Sequence, residues 1–410
     1  MFWPIMIGRG PLKAPFFCAI CATWPTCGWF ERAGRTRFVA AVALIGAGSV
    51  WAAPYIPARD TQVLAELPAG VRHANTPARA LAATRLDLAL PLAQIDISRA
   101  RATGDLRFLG YAEATLAPWM RQPTIAPQVL VLNATILQSR HAFDASLAEL
   151  DQALKARPDD AQAWLTRATV LRVLGRYSEA MLSCQHMAMA ADRGVTALCT
   201  QSLRGLTGHL EDAYATIAAL AIPGLPAEVR AWRYSELGEM AERLGHDEAA
   251  ERWFREGLQL APADFYMRTA CADLLLRHSR AAETLELLAG HEGMEPMLLR
   301  IAIAHRQLHD GASAQTEALL SGAFDVEQQR GDVVHRREQA RFLLDVNQQP
   351  TAALSAAEEN WKVQREPDDI LILLRAAQAA HQPQAAAPAM QFLKQTGLQD
   401  VRLDPYRGTR

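Results

Sequence analysis

Lysine is nearly absent from this 410-residue chain, and no stretch of the chain is strongly basic. The only lysines are Lys13, Lys155, Lys362 and Lys394, and the arginines form no run. Residues 1–52 hold five of the 42 basic residues and one of the 44 acidic residues, so the rest of the chain is mildly acidic. Because nucleic-acid-binding proteins usually present a basic patch, this composition argues against a nucleic-acid partner.

Residues 53–410 also lack the short motifs of the common enzyme classes. They contain no G-x-S-x-G, no glycine-rich phosphate loop ahead of a lysine, no H-E-x-x-H and no dinucleotide fingerprint. A convergent acid–base cluster is not identifiable either. We therefore expect a protein that has no catalysis of its own and no cofactor.

Two patterns are weakly suggestive of a metal site. Cys18 and Cys21 form a C-x-x-C, but no second pair and no histidines lie nearby. His305 and His309 are four residues apart with Asp310 beside them, a spacing that can chelate a divalent ion on one helix. However, His309 falls at a predicted turn, where a solvated histidine at a helix end is favoured, and no third ligand is identifiable. We predict no metal site.

The apolar run Phe38–Val50 is too short, and too interrupted by glycine and serine, for a membrane span, which needs about 20 apolar residues. It follows three arginines and ends near Ala52, which is the order of parts in a secretory signal peptide. We predict cleavage after Ala52 and a periplasmic or secreted protein, with an uncleaved anchor as the alternative. The residues ahead of Arg35 show no periodicity, and we interpret them as an over-long leader.

Three of the six cysteines, Cys184, Cys199 and Cys271, lie in the predicted exported part. An odd number leaves at least one thiol unpaired in an oxidising compartment. Cys184 and Cys271 occupy predicted packing positions and are most simply buried apolar residues. Cys184 and Cys199 are the only pair close enough in sequence to consider as a bridge, and this alternative stays open.

One stretch, Ala231–Pro262, has the pattern of a complete helical hairpin. Its first half carries an apolar, partly small-sided stripe at helical spacing: Tyr234, Leu237, Gly238 and Ala241. Gly245 then ends the first predicted helix. The second half repeats the spacing before a terminal proline: Ala250, Trp253, Phe254, Gly257 and Pro262. The small residues leave room for the two backbones to pack closely, so the pattern predicts two antiparallel helices.

These residues fill most of the 34-position motif of the tetratricopeptide repeat, which the stretch therefore resembles. The turn recurs with spacings of 34, 33, 37 and 34 at His141, Gly175, Gly208, Gly245 and Ser279. The best repeats are residues 127–160, 161–194 and 231–264. With further turns near Gly104-Asp105, Asp310-Gly311, Gln348-Pro350 and Gln382-Pro383, we predict about nine hairpins.

The predicted fold class is all-α: a tetratricopeptide-like antiparallel helix-hairpin solenoid. The resemblance implies a right-handed superhelix whose inner groove is lined by the first helix of each hairpin. The predicted organisation is a leader and signal peptide at 1–52, a proline-rich lead-in at 53–85, the repeat array at 86–397 and a C-terminal tail at 398–410. The lead-in either caps the first repeat or is disordered.

The resemblance implies a scaffold that binds a protein or peptide in this groove, in the envelope of a Gram-negative bacterium. The alternative is a structural accessory subunit of an envelope polysaccharide, transport or secretion complex. Placing the exposed first-helix positions toward the inside gives these partner-binding candidates: Gln128, Thr135, Gln138, Gln162, Thr169, Arg172, Trp232, Glu239, Glu242, Arg243 and Asp273.

Some members of the repeat family hold a peptide carboxylate with a lysine, asparagine and arginine set. That set is missing here, because Leu165 and Thr169 stand at two of its positions. Trp164, Trp253 and Trp361 lie at or next to packing positions, which predicts core side chains. Among the tryptophans considered, Trp232 is the one that could face the groove.

Overall fold

The computed structural model describes residues 77–220, 224–330 and 335–407, and in these ranges the regular structure is helical, without strands. The helices are α1 Pro77–Ala82, α2 Leu86–Thr103, α3 Arg107–Met120, α4 Pro127–Ser139, α5 Phe143–Ala156, α6 Ala161–Val173, α7 Tyr177–Met187, α8 Arg193–Arg204, α9 Leu210–Ala219, α10 Ala227–Leu244, α11 Asp247–Leu260, α12 Phe265–Arg277, α13 Ala281–Leu288, α14 Glu295–Leu308, α15 Ser313–Arg330, α16 Arg336–Arg341, α17 Pro350–Val363, α18 Pro367–Ala379 and α19 Ala387–Thr396. A π-helical segment, Phe342–Val346, continues α16, and 3₁₀ helices span Pro383–Ala386 and Val401–Tyr406.

From α2 onward, consecutive helices of the described chain pair into nine hairpins. Each hairpin turn contains one residue with positive φ: Gly104, His141, Gly175, Gly208, Gly245, Ser279, His309, Gln348 and His381. A left-handed residue there reverses the chain and satisfies the last carbonyls of the first helix. Five of these are the turn positions that the sequence periodicity gives, and the turns predicted at Asp310 and Gln382 begin one residue earlier. The predicted tetratricopeptide-like solenoid is confirmed.

Small residues set the distance between helices inside the hairpins. A Cβ at Gly238 on α10 would lie 2.3 Å from the Phe254 ring on α11. A Cβ at Gly257 would lie 2.3 Å from Sδ of Met267 on α12. In the α4–α5 hairpin, the Ser146 hydroxyl donates to the carbonyl of Ala134 at 2.8 Å. The small side chains of the repeat pattern are therefore needed for contact within and between hairpins.

Carboxylates begin several of these helices. Asp160 accepts from the backbone N–H of Ala163 at 3.0 Å, and Asp264 accepts from that of Met267 at 2.9 Å. Each satisfies one of the free N–H groups at a helix start. Asp160 and Asp264 stand two residues after Pro158 and Pro262, so the proline that ends one repeat is followed by the cap that begins the next.

The end of the chain, residues 364–407, folds back onto the turns of the middle hairpins; we call it the C-terminal segment. A Cβ at Gly175 would lie 2.8 Å from the Phe392 ring, and one at Gly208 would lie 3.6 Å from the carbonyl oxygen of Gly397. At the next turn, a Cβ at Gly245 would lie 3.4 Å from Val401. Three successive glycine turns thus contact three successive parts of the same segment.

Hydrogen bonds tie the C-terminal segment to the same hairpins. The backbone N–H of Arg365 donates to the carbonyl of Val173 at 2.8 Å, and that of Leu210 donates to Oε1 of Gln399 at 3.1 Å. One continuous apolar cluster joins α6–α10 to α16–α19. Although the sequence predicts a tail from residue 398, Leu403 is fully buried in this cluster. The inner surface of the middle hairpins is therefore covered by the chain itself.

Cys184 on α7 and Cys199 on α8 form a disulfide, with their Cα atoms 5.7 Å apart. This answers the alternative that the sequence left open. Cys271 is a buried free thiol whose pKa burial raises to about 11. Its packing in the core agrees with the interpretation as a small apolar residue.

The predicted signal peptide, its cleavage site and the C-x-x-C lie outside the described residues. The lead-in is described from residue 77, where α1 begins. Arg79 on α1 pairs with Asp96 of α2 at 2.6 Å, which fixes α1 against the first hairpin. Among the described residues, we find no helix with the length and apolar character of a transmembrane span.

Candidate binding chamber

Part of the inner surface stays open as a cavity of about 1080 Å³, which we call the chamber. Side chains from α6, α10, α12, α14, α16, α18 and the last 3₁₀ helix line it. Its lining includes nine arginines: Arg172, Arg243, Arg277, Arg300, Arg306, Arg337, Arg341, Arg375 and Arg402. It also includes seven carboxylates: Glu239, Glu242, Asp273, Asp310, Asp345, Glu366 and Asp368. The lining therefore carries both positive and negative charge, with slightly more arginines than carboxylates.

One wall is a ladder of alternating charge. Asp273 accepts from Arg300 at 2.6 Å and from Arg341 at 2.8 Å, and Asp345 accepts from Arg375 at 2.5 Å. Arg341 also lies 3.7 Å from Asp345, which joins the two parts. Burial opposes ionisation of Asp273, but its two arginines lower its pKa below the usual value. Three arginines thus share two carboxylates along α12, α14, α16 and α18.

The opposite wall holds a buried acidic group. Arg172 donates to Glu236 at 2.8 Å and lies 3.6 Å from Glu239, whose other partner is the Tyr266 hydroxyl at 2.6 Å. Burial, together with the neighbouring Glu236, raises the pKa of Glu239 to about 8. Burial lowers the pKa of Arg172, but the carboxylates of Glu236 and Glu239 outweigh it and raise that pKa. Two carboxylates therefore compete for one arginine, and Glu239 titrates near neutral pH.

Arg402 joins the chamber to the C-terminal segment. It donates to Asp400 at 2.7 Å and to Asp368 at 3.0 Å, and it lies 3.5 Å from Glu242. Glu242 also accepts from Arg277. Since Arg402 stands one residue after Val401, the last 3₁₀ helix closes one side of the chamber while packing on Gly245.

The chamber therefore presents charged groups that are already held in place by one another. A ligand that carries both positive and negative charge can exchange partners with these pairs without leaving a charge unpaired. Arg306, Arg375 and Arg277 are about one-third exposed, at 34%, 32% and 32%, and are the most accessible of the paired arginines in the chamber. Such a surface suits an extended ligand that carries both charges and backbone amides, as a peptide does.

Five of the eleven predicted partner-binding residues line the chamber: Arg172, Glu239, Glu242, Arg243 and Asp273. Gln128 is exposed at the start of α4, and Gln162 donates to the hydroxyl of Thr166 at 3.1 Å. The other four are buried, although the repeat pattern predicts exposed positions for them: Thr135, Gln138, Thr169 and Trp232. Trp232 does not face open space; its indole N–H donates to Glu236 at 3.0 Å.

The sequence prediction missed the arginines of the ladder, which come from the downstream hairpins. Arg337, Arg341 and Asp345 follow one another at four-residue spacing, which places them on one face of a helical segment. This spacing is a signal that could have identified Arg341, but it does not extend to Arg300 or Arg375. His305 and Asp310, which the sequence singles out, contact each other at 2.6 Å, and His309 is the left-handed turn residue.

No model of a known protein family matches the sequence, and no curated protein matches it. Several solved structures share the helical-repeat fold. The human IFIT1 dimer with m7Gppp-AAAA is 10% identical, with a TM-score of 0.42 over 71% of this chain and 78% of that one. PilW, a type IV pilus biogenesis factor, is 15% identical, with a TM-score of 0.30 over 68% and 97%. The TPR domain of P58(IPK) is 13% identical, with a TM-score of 0.24 over 68% and 96%. All three TM-scores lie below 0.5, and no conclusion about the fold or the function of this chain rests on them.

Proposed function

We propose that this chain is an exported, non-catalytic scaffold that binds an extended protein or peptide segment in the chamber. The observation that carries the proposal is the chamber itself, a cavity of about 1080 Å³ between first helices whose arginines and carboxylates are held in fixed pairs. A repeat array gains a binding surface of this kind from its concave side.

Export is supported by two separate features. The sequence of residues 35–53 has the parts of a secretory signal. The Cys184–Cys199 disulfide is of the kind that persists in an oxidising compartment. N-terminal sequencing of the mature protein should begin at Ala53, whereas an intact Met1 in a cytosolic fraction would contradict export.

Binding in the chamber is tested by site-specific photo-crosslinking. Gln307 is exposed on the chamber wall and is a suitable position for the crosslinking side chain. Gln185, exposed on the second helix α7, provides the matched control outside the chamber. We expect one envelope protein to be crosslinked in the native host from position 307 and not from position 185.

The outcomes separate the alternatives. A peptide-bearing partner that binds singly supports the scaffold, whereas a stoichiometric membrane complex supports the accessory subunit of an envelope machine. A crosslinked species that is removed by nuclease indicates nucleic acid and contradicts the proposal. Equal labelling from positions 307 and 185 also contradicts it.

Once the partner is identified, substitutions test whether the arginines of the chamber contribute to binding. Arg306→Ala combined with Arg375→Ala removes two of the three most accessible arginines of the chamber, and Arg255→Ala is the control. Arg255 is also partly exposed and paired, with Glu251 at 2.7 Å, but lies outside the chamber. We expect the double variant to bind about tenfold more weakly, the effect of losing one charge-assisted hydrogen bond, and the control to bind normally.

A further inference from the structure

A second group of side chains converges away from the ladder, where three successive helices meet. Glu295 is the first residue of α14, Glu327 lies near the end of α15, and His335 immediately precedes α16. One ligand atom from each of the three lies within 4.8 Å of the other two. Nδ1 of His335 is 2.6 Å from Oε1 of Glu327 and 3.1 Å from Oε1 of Glu295.

The charges in this cluster are unbalanced. A single imidazole nitrogen faces two carboxylates, and it can carry only one proton for both. The side chains of Glu295, Glu327 and His335 are 18%, 22% and 21% exposed, so water screens them only in part. Oε1 of Glu295 is buried and accepts no hydrogen bond of good geometry within the described chain. A positive charge placed between the three groups would satisfy all of them.

We propose that Glu295, Glu327 and His335 bind a divalent metal ion of the Zn²⁺ class. One imidazole nitrogen with two carboxylate oxygens is a donor set that zinc accepts, whereas Mg²⁺ and Ca²⁺ prefer oxygen alone. Ligand atoms each about 2.1 Å from one ion lie roughly 3.0–3.4 Å apart. The observed separations of 2.6 and 3.1 Å require only small side-chain movements. A fourth position stays open for water.

Such an ion would connect elements that the chain links only through α15 and the short connection after it. It would tie the end of α15 to the starts of α14 and α16. Arg337 and Arg341, which line the chamber, lie on α16, two and six residues after His335. The site is thus placed to hold one wall of the chamber in position, and it does not depend on what the chamber binds.

Titration of the metal-free full chain with Zn²⁺, followed by calorimetry, tests the proposal. We expect His335→Ala to lose one equivalent of bound Zn²⁺ and Glu327→Gln to bind that equivalent at least about tenfold more weakly. His305→Ala is the matched control, because His305 also contacts a carboxylate, Asp310, but only one. It should bind Zn²⁺ as the unaltered chain does.

Differences between variants are decisive because cysteines in residues 1–76 can bind Zn²⁺ independently. Co²⁺ substitution distinguishes a cysteine site from the proposed site, since thiolate ligands give charge-transfer bands that nitrogen and oxygen ligands do not. The part of the Co²⁺ spectrum that disappears in His335→Ala should lack those charge-transfer bands. If His335→Ala does not fold, the isosteric Glu327→Gln carries the test. Unchanged stoichiometry and affinity in both variants would overturn the proposal and leave His335 as a protonated bridge between two carboxylates.

Discussion

The inner surface of this repeat array is covered in one region and open in another. In the covered region, the turns at Gly175, Gly208 and Gly245 lie under the C-terminal segment. In the open region, α12, α14 and α16 face the chamber. Both regions are built from the same hairpins with the same left-handed turns, so the repeat framework alone does not decide which part of the groove stays accessible.

The side chains on the repeat framework decide which part of the groove stays accessible. The covered region offers glycine at its turns and apolar side chains beside them, so burial of the C-terminal segment stabilises the fold. The open region carries the Arg300–Asp273–Arg341 ladder, and covering it would remove charges from water at a cost that packing does not offset. We infer that the covered region serves stability and the open region serves binding.

The largest expected effect comes from removing the Phe392 ring in the covered region. This side chain is buried between Gly175, Tyr177 and Trp361. Phe392→Ala should lower the free energy of unfolding by about 3–5 kcal/mol, the usual cost of such a cavity. Chemical denaturation monitored by circular dichroism measures it.

The matched change at the chamber is Tyr406→Ala, an aromatic residue of the same C-terminal segment that lines the chamber and is only partly buried. It should cost about 1 kcal/mol, because less apolar area is lost. Equal losses for the two variants would remove the distinction between the covered and open regions.

The next effect tests why glycine occupies the covered turns. Gly175 and Gly290 both have positive φ, +73° and +80°, but a Cβ at Gly290 would meet no atom within 4 Å. Gly290→Ala should therefore cost only the left-handed backbone strain, about 1 kcal/mol. Gly175→Ala should cost about 2–4 kcal/mol, because its Cβ also collides with Phe392.

A double-mutant cycle separates the two causes. In a Phe392→Ala background the collision with the ring is gone and the 3.2 Å contact with Cβ of Arg365 remains, so the cost of Gly175→Ala should fall to about 1–2 kcal/mol, close to that of Gly290→Ala. A cost that is unchanged in this background would mean that backbone strain alone explains Gly175.

These glycine turns show how much of the fold could be predicted from the sequence. Helical period and punctuation are local signals, and they were enough to predict the hairpins and the turns at His141, Gly175 and Gly245. They could not predict that residues 392–401 would dock on the turns at Gly175, Gly208 and Gly245, because the contacts join parts of the chain about 200 residues apart. A glycine required by positive φ looks the same in the sequence as one required by close approach.

The residues of the candidate site also fall into a predicted group and a group that the sequence did not predict. Arg172, Glu239 and Asp273 line the chamber as predicted from their first-helix positions. Thr169 and Trp232 followed the same rule but do not line the chamber. The ladder arginines were missed because they lie in downstream hairpins for which the sequence analysis assigned no inward-facing positions.

The smallest expected effect is a pH dependence that arises in the open region. Burial beside Glu236 raises the pKa of Glu239 to about 8, above the value of about 4.5 expected in the unfolded chain. Between these two values the folded protein holds a proton that the unfolded chain has lost, so stability falls as pH rises. Glu239→Gln removes this term. Because Glu239 is 19% exposed, we expect the gap between variant and parent stability to change by about 1–2 kcal/mol from pH 5 to pH 8, in favour of the variant.

Glu251→Gln on the outer helix α11 is the control for this measurement. Hydrogen bonding to Arg280 lowers the pKa of Glu251, so it is ionised in both the folded and the unfolded states above pH 5. Its replacement should shift stability by the same amount at every pH from 5 to 8. If Glu239→Gln also gives a constant shift, Glu239 is ionised throughout this range. The acidic wall of the chamber would then carry its full negative charge at neutral pH and would favour a ligand segment with more positive charge.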